Sequence, residues 1–204
     1  MMNKGRNDNH QKKGASIKVQ PIRDLESIQS IKQNLANQPR NLCLFTMGIN
    51  TAYRANELLS ITVGQVAHLQ AGDILDIKQS KTNEYRSTVL NAVTVEALQS
   101  WLSVHPKAKN PQAPLFISED SKGKALLVSS LIHLVKLWCA EAGLQGNYGS
   151  HTLRKTWGYH QRITNNAPIA LIMQAFAHTS ETQTLKYLCI LPNEVHDLYR
   201  TMEL

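Results

Sequence analysis

The period of the hydrophobic residues differs in one segment of the chain, and this difference restricts the fold more than any other feature. Apolar and polar residues alternate in two runs, Ile74 to Lys78 and Tyr85 to Leu90. A period of two is typical of β-strands, and the polar turn between the runs predicts a β-hairpin with Lys81 at or near its tip. We also expect a short strand around Gln65 to Leu69.

Helical periodicity dominates on both sides of this hairpin. Apolar residues three or four apart predict helices over 21 to near Pro39, 40–49, 94–102 and 129–140. Ser129 or Ser130 is the expected N-cap of the last of these. Many helices around one hairpin predict a mainly helical α+β fold with a small antiparallel β-sheet.

Composition divides the chain into a short arm and one globular domain. Residues 1–20 are polar, basic and rich in Asn, Lys and Gly, which is typical of a flexible arm. This arm is either an inert tail or a segment that contacts DNA. Hydrophobic residues make up 42% of the 204 residues and charged ones 18%, so we expect residues 21–204 to form one domain with a sizeable core.

Charge and cysteine content narrow the class of protein. The formal net charge of +7 favours a polyanionic partner, although basicity alone does not establish one. Cys43, Cys139 and Cys189 are odd in number and lack metal-like spacing, which indicates reduced cysteines of a cytosolic protein. Because no apolar run approaches the ~18 residues of a membrane span, we expect a cytoplasmic protein without a membrane or metal association.

The stretch from Ser150 to Leu188 contains the side chains best suited to chemistry. His151 and Arg154 are three residues apart, so on a helix they share one face. A guanidinium forks onto two oxygens, and a neighbouring imidazole donates a hydrogen bond or passes a proton near neutral pH. This pair therefore suits a small anion, and phosphate is the obvious candidate.

A break in the helical pattern separates His178 from Tyr187. The two are nine residues apart and would lie on nearly opposite sides of one unbroken helix. Ser180 and Gln183 have the spacing of a capping box, which predicts one helix ending near His178 and a new one starting at Ser180. The loop between them can fold Tyr187 back toward the His/Arg pair.

Taken singly, each of these side chains has an ordinary structural interpretation. An isolated histidine is more often a surface or satisfied core residue, and a tyrosine flanked by leucines is more often half-buried packing. Arg54 and Glu57 are three apart, a common spacing for a surface helix pair, and a lysine at a hairpin tip is ordinarily a solubilising charge. The functional prediction depends on the combination.

In order along the chain, these residues resemble the tyrosine recombinases, the phage integrase family. The resemblance consists of an Arg in the turn T-x-x-R-x-x-E-L-L, a Lys in S-K-T, the pair H-x-x-R, and a His nine residues before a Tyr. It covers about residues 40 to 190. Because the order and spacing of all six positions agree, we identify the chain as similar to the catalytic domain of that family.

The resemblance implies a role for each residue that would contact the DNA phosphate. Arg54 and Arg154 would clamp the scissile phosphate, with Glu57 as a buttress for Arg54. His151 would assist as an acid/base and phosphate donor, and His178 would hydrogen-bond a non-bridging oxygen. Such charges suit the reaction, because attack on a phosphodiester builds negative charge on its oxygens.

The resemblance also implies the covalent step. Tyr187 would be the nucleophile and Lys81 would protonate the leaving 5′ oxygen, with no metal and no nucleotide cofactor. A phenol with a pKa near ~10 needs help to become a nucleophile, and the departing sugar oxygen needs a proton. The expected product is a 3′-phosphotyrosyl intermediate, which stores the bond energy for rejoining without ATP.

Some features depart from the family pattern. The usual Leu-Gly-His is Phe176-Ala177-His178, and Ala52-Tyr53 replaces a common glycine and aliphatic residue before Arg54. We expect both changes to alter packing only. A separate core-binding domain is not evident, so the chain is either an excised catalytic domain or a naturally compact recombinase. The C-terminal tail is expected to pack either on a neighbouring protomer or on its own domain.

The predicted function is a site-specific DNA recombinase or integrase. Its partner would be double-stranded DNA, bound as a homo-tetramer on synapsed duplexes, with a monomer possible when free. A type IB topoisomerase-like relaxing enzyme is an alternative with the same chemistry. A DNA-binding regulator without catalysis is an alternative of another class.

Overall fold

The computed structural model describes residues 19–78, 85–118, 123–190, 196 and 199–201. These residues form a mainly helical domain with one small antiparallel sheet, which confirms the predicted α+β fold. The elements in chain order are α1 (Leu25–Asn34), α2 (Pro39–Asn50), α3 (Ala55–Leu59), α4 (Val63–Val66), β1 (Ile74–Lys78), β2 (Tyr85–Val89), α5 (Ala92–Val104), α6 (Val128–Glu141), α7 (Ser150–Ile163), α8 (Ile169–Phe176) and α9 (Glu181–Leu188).

The two strands pair as the alternating pattern predicts. β1 and β2 are antiparallel, with Ile77 opposite Arg86 and Leu75 opposite Thr88. Leu75 and Ile77 face the core and are buried, and Arg86 is buried on the same face of the sheet. The predicted tip of the hairpin, including Lys81, lies outside the described residues.

The predicted strand around Gln65 to Leu69 is wrong, because α4 occupies Val63–Val66. The reason is a local cap. The backbone N–H and the hydroxyl of Thr62 both donate to Oε1 of Gln65, at 2.8 and 3.2 Å. This capping interaction starts a helical turn in a segment whose β-branched residues favour a strand.

The predicted N-cap of α6 is also wrong. Leu127 occupies that position, and it makes no side-chain capping bond. The preceding backbone is extended, because the N–H of Leu126 donates to the carbonyl of Phe116 at 2.8 Å. The helix therefore begins where this pairing ends, two or three residues earlier than the serines suggest.

Helix α2 runs through the main hydrophobic core and packs against α5 and α7. Its contact with α7 is close, because a Cβ atom at Gly48 would lie 2.4 Å from Cδ1 of Leu153. Glycine leaves the room that the Leu153 side chain fills against α2. The approach brings the turn after α2, which ends at Arg54, next to the start of α7, where His151 and Arg154 lie.

A second, smaller cluster lies between α7, α8 and α9. Its buried members are Ala52, Ile172, Phe176 and Leu188. A Cβ at Gly158 of α7 would lie 2.3 Å from Cζ of Phe176, so the Phe176 ring rests directly on the α7 backbone. This contact sets where α8 ends and therefore where the predicted break between His178 and Tyr187 falls.

The two last residues of the predicted arm are in contact with the domain, whereas the rest of the arm lies outside the described residues. The N–H of Gln20 donates to the carbonyl of Asn147 at 2.9 Å, and its carbonyl accepts from the hydroxyl of Thr152 at 2.9 Å. None of the helices in the described ranges is long and apolar enough to cross a membrane.

Candidate active site

Arg54 and Glu57 form a rigid unit at the start of α3. Arg54 is the N-cap residue, its N–H donates to Oε2 of Glu57 at 2.7 Å, and its Nη1 donates to Oε1 at 2.8 Å. Burial acts to raise the pKa of Glu57, but the Arg54 amide and the charge of Arg86 outweigh it, so this pKa is lowered. Glu57 is therefore ionised, and it orients an arginine whose side chain is 39% exposed.

Arg154 lies on α7, three residues after His151, as predicted. Its guanidinium is buried and donates to the carbonyls of Ala52 and Phe176, the latter at 2.6 Å. Burial lowers the pKa of Arg154 to about 10, against the opposing effect of Tyr187. Arg154 remains charged at neutral pH, and its five N–H donors exceed the two used by these carbonyls.

The carbonyls that hold Arg154 come from two left-handed bends. Ala52 has φ 57° and Ala177 has φ 46°. This region is normally occupied by glycine, because a Cβ crowds the following carbonyl there. The two alanines were expected to alter packing only. They also hold a backbone conformation that disfavours alanine, at the two turns whose carbonyls bind the buried guanidinium.

Tyr187 lies within hydrogen-bonding distance of His151. The Tyr187 Oη and the His151 Nδ1 are 3.0 Å apart. The break between α8 and α9 makes this possible, and it is confirmed: α8 ends at Phe176, and Oγ of Ser180 accepts from the N–H of Gln183 at 3.2 Å as the cap of α9.

Electrostatics assign the proton of this pair. Burial raises the pKa of Tyr187, although Arg154 and Arg54 act in the opposite direction. Partial desolvation, followed by the charges of Arg154, Lys155 and Arg54, lowers the pKa of His151. At neutral pH the phenol is therefore protonated and the imidazole is neutral, which allows the imidazole to accept the phenolic proton.

His178 lies beside Tyr187 and against Phe176. The His178 and Tyr187 ring centres are 5.2 Å apart, and Nδ1 of His178 is 3.0 Å from Oγ1 of Thr184. Desolvation, with the charges of Arg154, Arg54 and Arg86, lowers the pKa of His178 to about 4. His178 is therefore neutral in this state, and Thr184 fixes the orientation of its ring.

Two cationic residues at the site were not predicted. Arg86 is buried behind Arg54 and Arg154. The alternation of the strand could have indicated Arg86, because this pattern places the Arg86 charge on the inward face of β2. The Nζ of Lys155 lies 4.9 Å from the centre of the Tyr187 ring and 3.1 Å from Sγ of Cys189. No periodic pattern distinguishes Lys155 from its neighbours on α7.

The structure thus brings together five of the six predicted catalytic positions and leaves Lys81 outside the described residues. Arg154 and Tyr187 are in contact, with the guanidinium carbon 5.9 Å from the centre of the phenol ring. In the described part of the chain, no group of three His, Cys, Asp or Glu side chains is arranged to hold a metal ion. The assembled groups can bind an oxyanion and activate a phenol.

Comparison with known proteins identifies relatives of similar sequence. The chain is 34% identical over 175 residues to the probable integrase/recombinase YoeC of Bacillus subtilis (strain 168), covering 84% of this chain and 90% of that one. It is 28% identical over 151 residues to tyrosine recombinase XerC of Caldanaerobacter subterraneus subsp. tengcongensis, covering 72% of this chain but 40% of that one.

The fold is shared with a solved recombinase structure. The XerH site-specific recombinase, bound to a palindromic difH substrate in a post-cleavage complex, superposes with a TM-score of 0.72 at 24% identity. The match covers 92% of this chain and 54% of that one. Residues 22–194 match the model of the phage integrase family. The chain therefore belongs to the phage integrase family, the tyrosine recombinases that its sequence resembles.

Proposed function

We propose that this chain cleaves and rejoins DNA at specific sites, with Tyr187 as the nucleophile. The observation that carries the proposal is the 3.0 Å separation between Tyr187 Oη and His151 Nδ1, beside the buried guanidinium of Arg154. The names of the relatives, integrase and tyrosine recombinase, support the same reaction class.

The first step is attack on the scissile phosphate. His151 Nδ1 takes the proton of Tyr187 Oη as this oxygen bonds to phosphorus. The bond from phosphorus to the 5′ oxygen breaks, and that oxygen leaves as a hydroxyl with a proton that we assign to Lys81. The product is a 3′-phosphotyrosyl link, and the reverse sequence, with attack by a 5′ hydroxyl, reseals a strand without ATP.

Fixed positive charges stabilise the transition state. Arg154 is held by two backbone carbonyls and Arg54 by Glu57, so neither guanidinium needs to reorganise as charge builds on the phosphate oxygens. His178 donates to a non-bridging oxygen from Nε2 in the tautomer whose Nδ1 accepts from the Thr184 hydroxyl, and this hydroxyl then gives up its 3.3 Å bond to the carbonyl of Ser180. Removal of one such donor typically costs about 10²- to 10³-fold in rate.

The partner in this proposal is double-stranded DNA. XerH in the superposed structure is bound to a difH DNA substrate, and the present chain has a formal net charge of +7. Recombination of two duplexes calls for a homo-tetramer on synapsed DNA, with a monomer when free. Residues 21–204 would be the catalytic domain, preceded by the basic arm, and the cytoplasmic location stays a prediction.

Covalent trapping tests the proposal. The protein is incubated with a nicked or phosphorothiolate-bearing duplex and run on a denaturing gel, beside Tyr187→Phe and the matched control Tyr199→Phe, whose ring is 82% exposed. A DNA-protein adduct is expected for the unchanged protein and for Tyr199→Phe but not for Tyr187→Phe. An adduct that survives in Tyr187→Phe refutes the assignment of the nucleophile.

The same protein on plasmid substrates separates recombination from its alternatives. Recombinant products between paired sites support the recombinase. Relaxation of supercoils without recombinants would indicate the topoisomerase-like enzyme, and DNA binding without any adduct would indicate the regulator.

A further inference from the structure

We propose that Arg86 is a positioning residue that holds the two phosphate-binding arginines in place. The inference rests on the proposed function, because it concerns the same reaction. Arg86 lies on β2 and is buried, and its three guanidinium nitrogens face acceptors of the protein itself, the carbonyls of Ala52, Ala175 and Phe176 and the carboxylate of Glu57. It acts through Arg54 and Arg154.

Arg86 and Arg154 bind the same two carbonyls from different elements. Nη1 of Arg86 is 3.3 Å from the carbonyl oxygen of Ala52, and its Nη2 is 3.4 Å from that of Phe176. These are the two acceptors of the Arg154 guanidinium. The turn after α2 and the end of α8 are therefore joined twice, once from the sheet and once from α7.

Arg86 also reaches the group that orients Arg54. Its Nε lies 3.8 Å from Oε2 of Glu57, and this oxygen accepts the N–H of Arg54. Nη1 makes a further bond of 3.1 Å to the carbonyl of Ala175. One buried guanidinium thus contacts the supports of both phosphate-binding arginines.

The buried charge of Arg86 is tolerated only together with the acceptors around it. Desolvation and the charge of Arg54 lower the pKa of Arg86, while Glu57 raises it. The carboxylate of Glu57 and the carbonyl dipoles offset the repulsion among the buried cations. Without Arg86, those carbonyls would lose a donor and Glu57 would lose a cation, so both supports would shift together.

Arg86 is also placed to tie the hairpin to the site. It is the second residue of β2, and β2 follows the segment that contains Lys81. Opposite Ile77, its side chain enters the protein where the sheet meets α8. The base of the hairpin is thereby anchored to the turns that hold the arginines.

The test compares Arg86→Met with a matched control, Arg40→Met. Arg40 is also buried, donates to the carbonyl of Ile117 and to Oδ1 of Asn41, and lies at the opposite end of α2 from the site. Both variants remove a buried guanidinium. For each variant we measure the single-turnover rate of adduct formation at saturating DNA. We also measure the DNA concentration that gives half-saturation. Both measurements are made at a temperature well below the lower of the two variants' thermal midpoints.

We expect Arg86→Met to lower the cleavage rate by ~10- to 100-fold, because displacement of a catalytic group by about 1 Å costs up to ~100-fold. The DNA concentration for half-saturation should change less than ~2-fold, since the guanidinium nitrogens of Arg86 face acceptors within the protein. Arg40→Met should leave both the cleavage rate and this concentration near those of the unchanged protein. Arg86→Lys should recover part of the rate, because an ammonium satisfies some carbonyls without the planar fork.

The outcomes separate the two proposals. If the unchanged protein forms an adduct and Arg86→Met cleaves as fast as Arg40→Met, the positioning role is wrong while the proposed function stands. If Arg86→Met instead raises the DNA concentration for half-saturation and leaves the cleavage rate unchanged, Arg86 acts in DNA binding and the inference is also wrong. If Arg86→Met does not fold, Arg86→Lys decides in the same way. If the unchanged protein forms no adduct, the proposed function fails and the inference falls with it.

Discussion

The replacement of Ala177 by glycine should stabilise the protein. Ala177 is exposed and caps α8 with φ 46° and ψ 52°. An L-residue in this left-handed conformation costs ~1–2 kcal/mol, whereas glycine adopts it freely. Against this gain, glycine makes the unfolded chain more flexible, which costs ~0.4–1 kcal/mol. The difference between these two ranges centres on ~0.8 kcal/mol, which is the expected net increase in the free energy of unfolding.

The assay is thermal and urea unfolding followed by circular dichroism. For a chain of this size, 1 kcal/mol shifts the midpoint by ~2–4 °C, so Ala177→Gly should raise it by ~1–4 °C. Ala140→Gly, at an exposed position in the last turn of α6, should lower stability by up to ~1 kcal/mol. Ala52→Gly also relieves a positive φ, but it removes a buried methyl worth ~0.8 kcal/mol, so its net effect should be near zero.

A single result would refute this reasoning. If Ala177→Gly lowers the midpoint as much as Ala140→Gly does, the left-handed cap of α8 carries no strain. The turn conformation would then give no reason for the glycine that is usual at this position in the family.

Three further outcomes are expected. Gly158→Ala should lower the adduct-formation rate more than DNA binding, because its Cβ would displace the Phe176 ring that packs against Tyr187. Glu57→Gln should destabilise the protein by ~3 kcal/mol in urea unfolding, because it removes the carboxylate charge from the buried pair in which Glu57 Oε2 lies 3.8 Å from Nε of Arg86; an unchanged midpoint would contradict this. The folded pKa of His178, about 4, lies below its ordinary 6.5, so the unfolded state binds more protons between these values and stability falls as the pH is lowered through this window. His178→Asn should flatten that part of the profile in urea titrations, and an equally steep profile would contradict the assignment.

Local signals in the sequence predicted much of the fold and the site. The hairpin strands follow from a period of two, and the break before α9 follows from the spacing of Ser180 and Gln183. Each of these signals acts over a few residues. The capping box at Thr62 is equally local, but the β-branched residues around it obscured it.

Contacts between distant segments could not be predicted in this way. Arg86 meets the carbonyl of Ala52 across 34 residues and that of Phe176 across 90, and Lys155 meets Cys189 across 34. Such contacts depend on how the helices pack. The left-handed conformations of Ala52 and Ala177 could not be predicted either, because alanine at a position does not indicate a positive φ.

The division of the hydrophobic residues into two clusters has a consequence for dynamics. The smaller cluster holds α8 and α9 through Phe176 and Leu188, and Tyr187 packs against it. Segments with few buried contacts open at a lower free energy than the whole domain. Amides of α8 and α9 should therefore exchange with deuterium faster than those of α2, which belongs to the main core. The proposed nucleophile, Tyr187, thus belongs to a unit expected to open and close while Arg154 of α7 stays in the folded body.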